Sequence, residues 1–154
     1  MLEKIIELTN EYIEGMPKKE RKKYGQFFTS METARFMAGL YNIDEKQNKI
    51  SVLDAGAGSG ILSCAFIERL EMIDSIQEIE LTCYENDNNV LPLLKRNLEY
   101  CKEKSRKKIK VHIIEDNYIL SQYLDFNHMI GGNNDPKKYD FVIGNPPYLS
   151  LIHI

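Results

Sequence analysis

Residues 50–60 constrain the fold of this 154-residue chain more than any other stretch: Ile50-Ser51-Val52-Leu53-Asp54 reads as a buried strand and runs straight into Ala55-Gly56-Ala57-Gly58-Ser59-Gly60. After the glycines, Ile61, Leu62, Ala65, Phe66 and Leu70 recur at helical spacing. A second strand follows over 79–85, alternating Ile79, Leu81 and Cys83 inward. The next helix, about 87–100, packs through Val90, Leu91, Leu94 and Leu98, with Pro92 in its first turn, where a missing N–H costs little. A third strand over 109–115, a short helical or irregular stretch after Asp116, a hydrophilic loop 131–136 and a fourth strand 139–143 complete the pattern. Strands alternating with helices predict an α/β, doubly wound parallel sheet.

Upstream, Leu2, Ile5, Ile6, Tyr12, Ile13 and Met16 predict an amphipathic helix closed by Gly15 and Pro17. A loop carrying Lys22 to Ser30 is expected next. Thr29-x-x-Glu32 fits a capping box for a helix striped by Met31, Ala34, Met37, Ala38 and Tyr41. Residues 1–45 therefore read as an N-terminal helical segment and 46–148 as the α/β domain.

A composition of 43% hydrophobic and 28% charged residues suits one core. The net charge of −3 leaves no global footprint for nucleic acid, so such binding would need local patches or a further part of the protein. Two basic runs exist, 18–23 and 102–108, and the second reads more simply as a solvated helix end. Cys64, Cys83 and Cys101 form no Cys-x-x-Cys pair, and no His completes a metal site. They read as reduced, buried thiols of a cytoplasmic protein. There is no signal-peptide pattern and no apolar run of membrane-spanning length.

Ligands in such sheets bind at the carboxyl ends of the strands, where Asp54, Glu85, Asp116 and Asn145 all fall. A dinucleotide fingerprint beginning at Gly56 would need glycine where Ile61 stands. The spacing G-x-G-x-G instead lets backbone pass close to a ligand, with a helix N-terminus behind it to favour a carboxylate. That suits the amino-acid end of S-adenosylmethionine, with Asp54 near its ammonium directly or through water. Glu85 is spaced to accept from both ribose hydroxyls, although a solvated strand-end acid would look the same. Asp116 can accept from the cofactor adenine or cap a helix. Ile143-Gly144-Asn145-Pro146-Pro147-Tyr148 can be a plain turn. It can also aim the Asn145 side-chain oxygen and the Pro146 carbonyl at one planar amino group, with Tyr148 as a stacking face.

Taken in order, Gly25-Gln26-Phe27-Phe28-Thr29, Leu53 to Gly60, Tyr84-Glu85-Asn86-Asp87, Glu115-Asp116 and Asn145-Pro146-Pro147-Tyr148 resemble the gamma-type N6-adenine DNA methyltransferases of restriction-modification systems. The resemblance implies a Rossmann-like class I methyltransferase sheet that transfers a methyl group from S-adenosylmethionine to adenine N6. It implies cofactor contacts from Gln26, Phe28, Thr29, Asp54, Ala55, Gly56, Gly58, Gly60, Glu85, Asn86, Asp116 and Asn117. Catalytic contacts are implied from Asn145, Pro146, Pro147 and Tyr148, with no metal. Ser30 departs from the family's usual proline. The partners implied are double-stranded DNA, held through a downstream recognition region, and a restriction endonuclease, separate or fused.

The sheet is expected to be truncated after its fourth strand, leaving that strand as an edge and the piece alone unstable and without turnover. The tail 149–154, Leu-Ser-Leu-Ile-His-Ile, matches one reading frame of a transposon-end sequencing adapter and is expected to be non-native. Rival readings are a protein glutamine-N5 methyltransferase, an RNA guanine-N2 methyltransferase and a non-catalytic cofactor-binding module. Residues 25–29 argue against the first two. A nicotinamide-type oxidoreductase is opposed by Ile61.

Overall fold

β-branched and aliphatic residues at every second position build the sheet. In the computed structural model, which describes residues 1–25, 28–122 and 137–145, β1 (Lys49–Asp54), β2 (Glu78–Tyr84), β3 (Lys108–Ile114) and β4 (Phe141–Ile143) lie in the order β3-β2-β1-β4. All three pairings are parallel, with Asp54 level with Cys83 on one side and Ile143 on the other. The chain leaves β1 for β2 on one flank and returns as β4 on the opposite flank. The carboxyl ends of β1 and β4 thus form the switch point at which sheets of this kind open a ligand crevice.

Helices accompanying the sheet are α1 (Leu2–Glu14), α2 (Lys18–Gly25), α3 (Met31–Gly39), α4 (Ile61–Leu70) and α5 (Leu91–Lys104), and residues 118–122 are also helical. Ile50, Val52, Ile79, Leu81, Cys83 and Ile109 share one core with Leu2 and Ile5 of α1, Ala34 and Ala38 of α3, and the buried faces of α4 and α5. Helices α1 and α3 are therefore packed into the same core as the sheet. Glu68 of α4 pins them there. It accepts from the Leu2 N–H at 2.8 Å and from the Arg35 guanidinium at 3.1 Å. Burial opposes its charge, but these donors outweigh burial and hold the carboxyl below its ordinary value. The alternate positions Lys49, Glu78, Lys108 and Lys110 form a charged ladder instead, with Lys49 3.2 Å and Lys110 3.0 Å from Glu78.

The structure departs from the sequence reading in four places. Residues 18–25 form α2, which takes in Lys22 to Gly25 of the loop expected up to Ser30: Pro17 supplies the first acceptor, to Glu20 and Arg21 N–H, and the Lys, Glu and Arg that follow are good helix formers. The N-cap of α3 is Ser30, whose hydroxyl accepts from Thr33 N–H at 3.2 Å, so the expected Thr29 capping box is absent. α5 begins at Leu91 rather than about 87, because Asp87 first closes a turn with Val90 and Leu91 and takes the Asn89 N–H on its side chain. Pro92 still lies in the first turn. β4 begins at Phe141 rather than 139, where Asp140 instead accepts from the Ser51 N–H and hydroxyl, each at 2.7 Å. The tail 149–154 lies outside the described residues.

Candidate functional site

The centre of the crevice is where β1 and β4 end together. Ala55 N–H donates to Ile143 O at 3.3 Å, so Gly144 and Asn145 leave the sheet beside Ala55 and Gly56. Across them comes the segment before α3. The Asn145 Nδ2 donates to Thr29 Oγ1 at 3.0 Å. An amide whose nitrogen is engaged this way turns its oxygen to the other side, as an acceptor. Tyr41, just past α3, holds the same strand end by donating its hydroxyl to Val142 O at 2.8 Å, and its ring packs edge-on against Phe66 and Phe141.

The three loop glycines have different physical reasons. At Gly56, which is exposed, a Cβ would meet nothing within 4 Å, so backbone there is open to a ligand. Gly58 has φ +54° and lies against Phe28, whose Cε1 would stand 3.7 Å from an added Cβ. Gly60, with φ +80°, is buried, and a Cβ would come within 2.9 Å of Leu94 Cδ1. Its role is to let α4 start tight against α5, and it does not line the open space.

Glu85 stands at the end of β2 with its carboxylate turned onto the loop. Oε2 accepts from Gly58 N–H, while Oε1 accepts from Asn86 N–H and Asp87 N–H, each at 2.8 Å. A carboxylate offers about four acceptor positions, so one remains free. Asp54 is buried, 1% exposed. Its Oδ2 accepts from the Ser63 hydroxyl at 2.6 Å, and Oδ1 has no hydrogen-bond partner among the described residues. Burial pushes its pKa up to about 6 against the Ser63 hydroxyl and the nearby Gly56 amide, and Glu85 adds to the rise. The expected direct contact of Asp54 with a ligand ammonium therefore has no open path. The residue acts on the loop through Ser63 in the first turn of α4.

Asp116 is exposed and, among the described residues, accepts only from Asn117 N–H, at 2.7 Å. The helical turn that follows is capped by Asn117, whose Oδ1 accepts from Leu120 N–H at 3.2 Å. Asp116 is thus free of the capping duty that competed for it, and Asn117 is engaged in it. Asn86 is exposed beside Glu85. Tyr84 and Tyr118, edge-to-face at 5.0 Å, bridge the ends of β2 and β3. Gln26, Pro146, Pro147 and Tyr148 lie outside the described residues.

Sequence reasoning missed Asn97. Buried in α5, it donates through Nδ2 to Ser59 O at 2.8 Å and to Thr9 Oγ1 at 3.1 Å, tying the glycine loop to α1. The available signal was a polar residue inside the apolar stripe of Leu94, Leu98 and Cys101.

A parallel α/β sheet with a glycine turn after its first strand, an acid after the second and Asn-Pro-Pro after the fourth defines a methyltransferase of the Rossmann-like kind. The N-6 DNA Methylase family matches residues 8–151, and the chain belongs to it. Type II methyltransferase M.BsuBI of Bacillus subtilis is 35% identical over 136 residues, covering 86% of this chain and 26% of that protein. Type II methyltransferase M.PstI of Providencia stuartii is 32% identical over 134 residues, 85% of this chain and 25% of the other. Modification methylase CviBIII of Paramecium bursaria Chlorella virus NC1A is 25% identical over 148 residues, 96% of this chain and 32% of the other. The chain spans about a quarter of the length of the first two of these relatives. No helix among the described residues is long and apolar enough to cross a membrane.

Proposed function

We propose that the protein transfers a methyl group from S-adenosylmethionine to the N6 of a specific adenine in duplex DNA, as the modification arm of a restriction-modification system in the cytoplasm. The observation that carries this reading is the Asn145 amide. Its nitrogen is engaged by Thr29, and its oxygen, which accepts no hydrogen bond among the described residues, can accept at the mouth of the switch point. Family membership supports the same substrate atom.

The residues present fit the cofactor, since the space over Gly56 is one that any side chain there would fill. In this reading Gly56 and Gly58 pass under the methionine end, with Phe28 and Thr29 alongside. Glu85 offers its free acceptor position to the ribose, and Asp116 accepts from the cofactor's adenine. When bound, S-adenosylmethionine supplies an electrophilic methyl on a sulfonium. Asn145 Oδ1 does the work on the target side. An adenine N6 lone pair is delocalised into its ring and becomes nucleophilic only as the nitrogen moves toward tetrahedral geometry. An acceptor fixed at the N6 hydrogens favours that geometry and disperses the positive charge developing on nitrogen. The Pro146 carbonyl is assigned as a second acceptor and Tyr148 as the face for a base turned out of the helix. Because a paired adenine is out of reach, base extrusion is part of the mechanism. A downstream recognition region and a cognate endonuclease, separate or fused, belong to the same proposal.

The test is direct. The full-length protein is incubated with methyl-labelled S-adenosylmethionine and duplex DNA, and the DNA is digested to nucleosides. Label in N6-methyl-2′-deoxyadenosine at one sequence context is expected; label in deoxycytidine, or label taken instead by RNA guanine or a protein glutamine offered in parallel, overturns the assignment.

A further inference from the structure

The two lysine-rich runs have the same composition but different surroundings. In the second, Lys102 meets Glu99 at 3.5 Å, Arg106 meets Glu71 at 3.3 Å, Lys108 meets Glu78 at 3.1 Å, and Lys107 donates to Ile73 O. Most of that charge is neutralised locally. In α2, Lys18 and Lys19 are exposed and have no ion pair among the described residues, and Arg21 is held only by its own donation to Met16 O at 2.9 Å. Lys22 and Lys23 extend the run in the sequence, against the single carboxylate of Glu20. Two exposed lysines with no ion pair among the described residues, on a chain of net charge −3, are a local feature and not a reflection of overall composition.

Its position is fixed at both ends. At the start, Pro17 and Glu20 share a groove of about 500 Å³ with Tyr12 and with Asn89 of the loop after β2, and the Tyr12 hydroxyl donates to Asn89 O at 2.8 Å. At the finish, Gly25 is three residues from Phe28, which packs on Gly58. Three peptide units span at most about 11 Å. The helix is therefore rooted at the carboxyl end of the sheet, on the rim of the crevice that holds Asn145.

From this placement we infer that Lys18 and Lys19, exposed at the start of α2, are a DNA phosphate contact, seating the duplex backbone beside the crevice independently of base sequence. The inference rests on the duplex substrate proposed above. Lysine side chains at phosphates position a duplex and release counterions, and they carry no sequence information.

The experiment uses the full-length protein and the double variant Lys18→Ala, Lys19→Ala, with Lys102→Ala, Lys104→Ala as a control at the other end of the sheet. Duplex affinity is read by fluorescence anisotropy between about 50 and about 200 mM salt. Each lost phosphate contact lowers the log–log salt slope by about 0.9, so the parent loses about tenfold more affinity than the α2 variant over that range. The loss is equal for cognate and non-cognate duplexes, calorimetric affinity for S-adenosylmethionine is unchanged, and the control keeps the parental slope. A parent that forms N6-methyl-2′-deoxyadenosine while the α2 variant keeps the parental slope overturns this inference alone. A parent that neither binds duplex nor methylates adenine overturns the functional proposal with it. Tighter, α2-dependent binding to single-stranded RNA of equal length overturns it in favour of an RNA partner.

Discussion

Asn145 and Thr29, 116 residues apart in the chain, are joined side chain to side chain at 3.0 Å, the asparagine amide donating to the threonine hydroxyl. The bond is available because Ser30, not Thr29, caps α3. Thr29 accepts from Asn145 and keeps its own proton to donate, so it can serve the two halves of the crevice at once. Replacing it with valine keeps the shape and removes the acceptor. We expect Thr29→Val in the full-length protein to lower kcat about tenfold, the worth of one orienting hydrogen bond, while Thr29→Ser restores the rate. Steady-state kinetics check this, and a parental rate in the valine variant with a loss in the serine variant would show that the methyl group, and not the hydroxyl, matters.

The glycines separate by what an alanine would meet. Gly60→Ala puts a Cβ at positive φ and against Leu94, and is expected to destabilise the fold by about 1–3 kcal/mol in a urea melt. Gly56→Ala meets nothing and should leave the midpoint unchanged while weakening S-adenosylmethionine binding in titration calorimetry. A variant at Gly56 that binds the cofactor as tightly as the parent would remove that residue from the site.

Asp54 gives the stability a signed pH dependence. Its folded pKa of about 6 lies above the ordinary unfolded value of about 3.9, with burial as the main cause. Below about pH 4 the carboxyl is protonated in both states and its burial is not penalised. As pH rises toward and through 6 the folded state must carry a buried charge, and about 2–3 kcal/mol is lost. Asp54→Asn keeps a partner for Ser63 without that charge. The parent minus Asn-variant difference in unfolding free energy should therefore fall from pH 4 to pH 7; a flat difference contradicts the shifted carboxyl.

Much of this was legible in the chain itself. Alternation at Ile79, Leu81 and Cys83, the glycines after Asp54 and the helical stripe from Ile61 each report a local period, and each matches an observed element. What the sequence hid were choices between equivalent groups. Thr29 and Ser30 are both good caps, and only packing decides that Ser30 serves. Asp116 and Asn117 are likewise interchangeable on paper, and Asn117 takes the cap. The burial of Asp54, 1% exposed, comes with tertiary packing, and no local pattern in the sequence reports it. Asn97 is a polar residue whose partners, Ser59 and Thr9, are 38 and 88 residues away, beyond any local pattern.

The most direct measurement is the single-turnover rate of adenine methylation by full-length Asn145→Ala, beside its affinity for S-adenosylmethionine. An acceptor that acts only on the target nitrogen predicts a rate lower by about a hundredfold or more, with cofactor affinity unchanged. Methylation of duplex adenine at the parental rate would contradict the account.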